Sequence, residues 1–324
     1  MDLDSLPHAA GGVIPAARAR AAGVSASLLA ARDAGRLVVV RRGVYVQSAH
    51  HKPMSAVDRH RTSAFAVALQ RPGVVFAGFT AAVLLGMPIV GRVPSDISVL
   101  ASGTSGRRRN GVVEIVRRTG APILTGNGIA VTSLLDTLIE VARTRPLLTA
   151  LTLLDAALWA PRSGSAGPMT TMGEVRAAFD ALLPFPGSRR VTAVLDRATD
   201  LAETPLETLS RLRIEELGFP KPELQRSVTR PQGGGTAFLD FAWPEYGVWG
   251  EADGDGKYSG RAQSVDEARP MAEIVRAEKA RENDVRAVTG WACARWDWDD
   301  AWRSGPLCRI LLAAGLPQLG GRHG

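Results

Sequence analysis

The sequence predicts a multidomain α/β protein. Three observations carry that reading. The chain has 324 residues, enough for two or three cores. Helical and strand-like periodicities alternate along its first 200 residues. The last third follows the order helix–strand–strand–strand–helix–strand. With 45% apolar and 22% charged residues the composition is that of a globular chain. The opening MDLDSLPHAAGG carries acids where an export signal needs a basic stretch. The longest apolar runs, such as 81–90, fall short of the ~20 residues that span a bilayer. Cys293 and Cys308 offer neither metal-site spacing nor a disulfide framework. The expectation is a cytoplasmic protein with no membrane partner and three domains, at 1–48, 49–200 and 201–324.

Residues 13–47 read as helix, turn, helix and hairpin. Pro15 suits the first turn of a helix through AARARAAG, and Gly23 its left-handed end. Ser25 is an expected N-cap for a second helix, SASLLAARDAG, closed at Gly35. Val24, Leu28 and Leu29 are expected to face inward, leaving Ser25, Ser27 and small residues outside. LVVV, the turn Arg41-Arg42-Gly43 and VYV make a short hairpin. Together these describe a winged helix-turn-helix. Its second helix, with Ser25 and Ser27, would enter the DNA major groove, Arg18 would lie nearby, and Arg41 and Arg42 would meet phosphates from the wing. The charge distribution agrees. Residues 1–150 hold 18 Lys/Arg against 8 Asp/Glu, whereas residues 151–300 hold 18 against 24. A basic front half suits a polyanionic partner, and an acidic back half suits a metal site.

The middle is expected to be α/β. It has a helix around 55–69, a strand and short helix in GVVFAGFTAAVLLGMPI, and strands at 97–100 and 112–116 flanking the basic turn Arg107-Arg108-Arg109-Asn110. GIAVTSLLDTLIEVART then gives a strand, a Thr132 cap and an amphipathic helix. Residues 161–169 read as an exposed linker, followed by helices near 172–183 and 188–202. His8, His50, His51 and His60 form no metal pattern and are expected on solvated loops or helix faces.

The stretch GGVIPAARARAAGVSASLLAARDAGRLVVVRRGVYV resembles the N-terminal DNA-binding domain of AbiEi-like antitoxins of type IV toxin–antitoxin systems. FTAAVLLGMPI and GIAVTSLLDTLIEVAR are similar to the middle part of actinobacterial members. The resemblance covers roughly residues 10–160. It implies a role in toxin–antitoxin or phage-defence systems and a cognate toxin protein as partner.

The last third opens with Thr204-Pro205-Leu206-Glu207, a capping box with Pro at the first helical position. Strands LQRSV, AFLDFAW and VWGEAD follow, then a charged helix near 266–288 and the strand WACARWDW. This is the αβββαβ order of the PD-(D/E)XK, or restriction-endonuclease-like, core. Alternation along AFLDFAW points Asp240 away from Leu239 and Phe241, and a hairpin would bring Glu251 alongside it. Two converging carboxylates make a hard-oxygen site for Mg²⁺ or Mn²⁺. Such an ion would promote hydrolysis of a phosphodiester.

FLDFAWPEYGVWGEADGDGKY and AEKARENDVRAVTGWACARWDWDDAW resemble the very-short-patch-repair (Vsr-like) branch of that superfamily, over about residues 203–303. The resemblance implies that Asp240, Glu251 and Asp253 form the acidic motif, that Glu207 is the acid of the first helix, and that Lys257, Glu278, Lys279 and Arg281 complete the pattern. One departure stands out: aspartate, Asp253, occupies the position usually held by lysine. Lys279 or Lys257 would have to stand in for it. Plainer readings stand beside these. Glu207 is also a helix cap, Asp253 a turn former, the 278–282 charges a solvated helix face, and the tryptophans core. Two functions remain open: a DNA-binding antitoxin or phage-defence protein with a metal-dependent endonuclease domain, or a non-enzymatic repressor that uses a degenerate nuclease fold to dimerise or to hold a partner.

Overall fold

Glycines let the N-terminal elements reverse direction within a few residues. In the computed structural model, which describes residues 3, 6–119, 123–126, 128–230, 235–254 and 271–320, β1 (Ile14–Pro15) leads into α1 (Ala16–Ala21) and α2 (Ser25–Asp33). The hairpin β2 (Leu37–Arg41) and β3 (Val44–Gln47) follows. Gly23, Gly35 and Gly43 have φ of 71°, 68° and 74°, closing both helices and the hairpin without a Cβ penalty. The three strands pair in the order β1-β3-β2 over a core that includes Ile14, Ala19, Leu28, Ala31, Leu37 and Tyr45. Three details differ from the sequence expectation, the first being that Pro15 ends β1 and holds the N-cap position of α1 instead of standing in its first turn. Val24 holds the N-cap position of α2, and Ser25 is its first helical residue, a one-residue shift of the kind that capping signals leave open. Leu29 is 44% exposed, because Leu28 and Ala31 already occupy the inward face and Leu29 lies about 100° round from Leu28.

The chain then forms α3 (Ser48–His51), α4 (Ala56–Gln70), β4 (Val75–Phe76), α5 (Gly78–Leu84), β5 (Ile97–Leu100), β6 (Arg108–Arg109), β7 (Val112–Ile115), β8 (Leu124–Gly126), β9 (Ile129–Val131) and α6 (Leu134–Thr144). The strands make one mixed sheet, β6-β7-β5-β4-β9-β8. Phe76, Ile97, Val99, Val112 and Val131 bury one apolar layer with Ala64 and Val67 of α4. Ser55 caps α4 through the Asp58 N–H. Ser133, not Thr132, caps α6, and Thr132 is buried against the Thr137 hydroxyl at 2.9 Å. His60, expected on a solvated face, is 3% exposed. Its ring nitrogens contact Pro94 O at 3.0 Å and Thr80 Oγ1 at 2.9 Å, and burial lowers its pKa. It is a core histidine with both polar atoms satisfied.

The chain divides into two compact units, residues 1–150 with 172–193 and residues 151–171 with 194–324. The divisions fall inside α7 (Leu147–Leu158) and α9 (Ser188–Leu195), with α8 (Met172–Asp180) between them. The second unit contains α10 (Pro205–Glu216), β10 (Glu223–Thr229), β11 (Thr236–Trp243), β12 (Val248–Ala252), α11 (Met271–Thr289), β13 (Ala292–Trp296), α12 (Trp298–Arg303) and α13 (Gly305–Ala313). Its sheet runs β10-β11-β12-β13, antiparallel except for the parallel pair β12–β13. Leu239, Trp249 and Val285 of α11 are fully buried in its core. Gly250 is required where it stands, since a Cβ there would lie 2.4 Å from the Trp296 ring. The protein is therefore a mixed α/β chain. No described helix is long and apolar enough to cross a membrane.

Candidate functional site

In the second unit α10 begins at Thr204, whose hydroxyl accepts the Glu207 N–H at 3.2 Å and donates to Glu207 Oε1 at 2.9 Å. The other carboxylate oxygen of Glu207 accepts the Glu203 N–H at 3.0 Å. Glu207 is thus a capping residue, yet it is only 6% exposed and turned inward. It lies on the same face as Ser210, three residues on, whose Oγ accepts the Trp296 indole N–H at 2.7 Å.

Asp240 sits on β11 between Leu239 and Phe241, both fully buried. The last described β11–β12 pair is Phe241↔Gly250. Immediately beyond it Asp240 Oδ2 accepts the Ala252 N–H at 3.0 Å. Burial raises the Asp240 pKa to about 6, against the opposing pull of that N–H and of Arg281. Burial, then repulsion from Asp240, raises Glu207 to about 8. Two neighbouring carboxyls, Glu207 buried and Asp240 half-buried, cannot both ionise freely.

Gln225 joins them. It lies in β10 with φ of 53°, a region that costs a non-glycine residue roughly 1–3 kcal/mol. Its amide donates to Glu207 Oε2 at 2.9 Å and also hydrogen-bonds Asp240. Arg162 reaches the same place from the 161–169 stretch. It donates to the Gln225 carbonyl, pairs with Glu203 and stands 4.0 Å over the Phe238 ring. That stretch reads as linker in the sequence, but it supplies a positioning arginine.

Glu251, expected beside Asp240, is 6% exposed and pairs with Arg281 at 2.7 Å. Asp253, at the position usually held by lysine, is more than half exposed and pairs with Arg295 at 3.3 Å. Lys279 is exposed on α11. Lys257 lies outside the described residues, as does the side chain of Glu278. The acid that meets Asp240 from the α10 side is therefore Glu207, while Glu251 has a cation of its own. Gln225, Glu203 and Arg162 were not legible as site residues. The strand position of Gln225, opposite Asp240, was the one available signal.

The first unit places its DNA-contact candidates unevenly. Arg18 is exposed and donates to His8 O at 3.3 Å. Ser25 and Ser27 are half-buried, and the exposed residues of α2 are Ala26, Leu29, Ala30 and the ion pair of Arg32 with Asp33. Arg42 is exposed at the hairpin tip. Arg41 is not free: its Nε donates to Gln70 Oε1 at 3.1 Å and its Nη2 to Asn110 O at 2.9 Å. Gln70 in turn donates to Arg42 O at 2.8 Å. Desolvation and the nearby Arg71 lower the Arg41 pKa.

With this geometry in place, comparison with known proteins adds little about activity. The chain is 30% identical over 191 residues to uncharacterized proteins of two Mycobacterium tuberculosis strains, CDC 1551 / Oshkosh and ATCC 25618 / H37Rv. The match covers 57% of this chain and 65% of each relative, so the chain spans just under two thirds of the relatives' length. No family model and no solved structure matches.

Proposed function

We propose that this is a DNA-binding protein of the antitoxin or phage-defence kind, whose first unit docks on duplex DNA through a winged helix-turn-helix and whose second unit is a PD-(D/E)XK-type phosphodiesterase domain. The observation that carries the reading is the meeting of half-buried Asp240 with buried Glu207, both hydrogen-bonded by Gln225, in a unit with αβββαβ element order. Among the described residues no three His, Cys, Asp or Glu side chains group as a ready-made metal site. The pair nevertheless fits Mg²⁺ or Mn²⁺, because such ions are held by one or two carboxylates with water and substrate phosphate completing the shell. When bound, the ion would supply Lewis-acid stabilisation and an activated water. Gln225 would orient both carboxylates, and Arg281 would keep Glu251 neutralised beside them.

A second reading is favoured by Asp253, an acid where the resemblance calls for a lysine, which pairs with Arg295. In it the same fold binds a partner, such as a toxin or a second copy, and the protein represses without cutting. Plasmid incubation with Mg²⁺ or Mn²⁺ separates the two. The expected result is nicking that Asp240→Asn abolishes. Intact but retarded plasmid with every ion tried would overturn the phosphodiesterase reading and support the repressor.

A further inference from the structure

The Arg107–Asn110 turn, basic in sequence and outside the helix-turn-helix, is not an isolated loop. Strands β6 and β7 pair with Arg109 opposite Val112, leaving Asn110 and Gly111 as a two-residue turn with φ of 50° and 68°. This is the backbone that an Asn-Gly dipeptide favours in a tight hairpin. The tip is held against the other hairpin by Arg41, whose guanidinium donates to Asn110 O and leaves only 3.7 Å between its Nη1 and a Cβ built on Gly111. Gln70 completes the clamp by bonding both Arg41 and the Arg42 carbonyl.

Two arginine-bearing tips are therefore fixed side by side. Arg108 is committed to Asp96 at 2.6 Å. Arg42, Arg107 and Arg109 are exposed, and among the described residues no carboxylate pairs with them. The one exposed cation of α2, Arg32, is by contrast already paired with Asp33 at 2.7 Å, so the helix offers little to phosphates. We infer that the β6–β7 hairpin is a second phosphate-contacting element, which with Arg42 forms one composite surface for the DNA backbone, and that Arg41 is the positioning residue that joins the two tips. The inference rests on the DNA-binding reading above and extends it to a segment outside the winged helix.

Duplex binding by fluorescence anisotropy across a salt series tests it. Removing one arginine that neutralises a phosphate lowers the slope of log K against log salt by about 0.9. Arg107→Ala/Arg109→Ala should lower it by about 1.8, for any duplex sequence, with the thermal midpoint unchanged. Adding Arg41→Ala to that double variant should change the slope little, since the second tip would then carry neither of the arginines that Arg41 positions. A further drop of about 0.9 would show Arg41 itself to neutralise a phosphate and overturn its assigned role. Wild-type binding with an unchanged slope in the double variant overturns this inference alone. No wild-type binding at about 50 mM salt overturns it together with the DNA reading, and tighter binding to duplex RNA overturns the choice of DNA.

Discussion

Asp240 and Glu207 put the energetic tension of the second unit into two side chains. Both bind protons more tightly in the folded chain than in the unfolded one, where carboxyls titrate near 4. The folded state therefore holds more protons between about pH 4 and pH 8, and stability falls as pH rises through that interval. Asp240→Asn removes one charge while keeping an oxygen for the Ala252 N–H. In chelator at pH 8 the variant should melt higher than wild type by roughly 2–4 °C, what about 1 kcal/mol is worth in a unit of this size. The gap should close near pH 4, where both proteins carry neutral carboxyls. An Asp240→Asn midpoint below wild type at pH 8 would mean that the aspartate stabilises its surroundings instead of straining them. Asp240 was legible in the sequence because a charged residue within FLDFAW must find a partner once buried. Glu207 was named by the resemblance as the acid of the first helix, but its pairing with Asp240 was not legible, because the two lie 33 positions apart and local alternation gives no register between a helix start and a strand.

At the scale of elements, local chemistry predicted most of what formed. Thr204-Pro205 starts α10 as capping preferences require, and the hairpin of β2 and β3 closes at Gly43. The misses join elements distant in the chain. Residues 161–169 look like linker because Gly, Ser and Pro dominate them, but Arg162 is drawn to Gln225, 63 residues on. The same part of the chain is anchored by Asp155 of α7, 1% exposed, which accepts from the Thr199 N–H at 2.9 Å, the Thr208 hydroxyl at 2.8 Å and the guanidinium of Arg211. Burial raises its pKa in spite of those donors. Asp155→Ala would leave Arg211 charged with only the Arg197 carbonyl as acceptor, so denaturant unfolding should report a loss of about 3–5 kcal/mol. A loss under about 1 kcal/mol would show that Arg211 finds other acceptors and that the ion pair does not anchor α10.

At the scale of the whole molecule, two units with separate cores imply that heat need not unfold the chain in one step. The basic surface and the carboxyl pair lie in different units, so their ligands should act on different transitions. Calorimetry in chelator is expected to resolve two. A divalent ion at about 100 times its dissociation constant stabilises the form that binds it by about 2.7 kcal/mol, so Mn²⁺ should raise the transition of the second unit and leave the other in place. Short duplex DNA should do the reverse. In Asp240→Asn the Mn²⁺ response should vanish while the DNA response persists, because the variant touches only the pair. A Mn²⁺ shift that survives in Asp240→Asn would place the ion elsewhere. A single transition that either ligand shifts would mean that the two units unfold as one, with binding in one felt throughout the other.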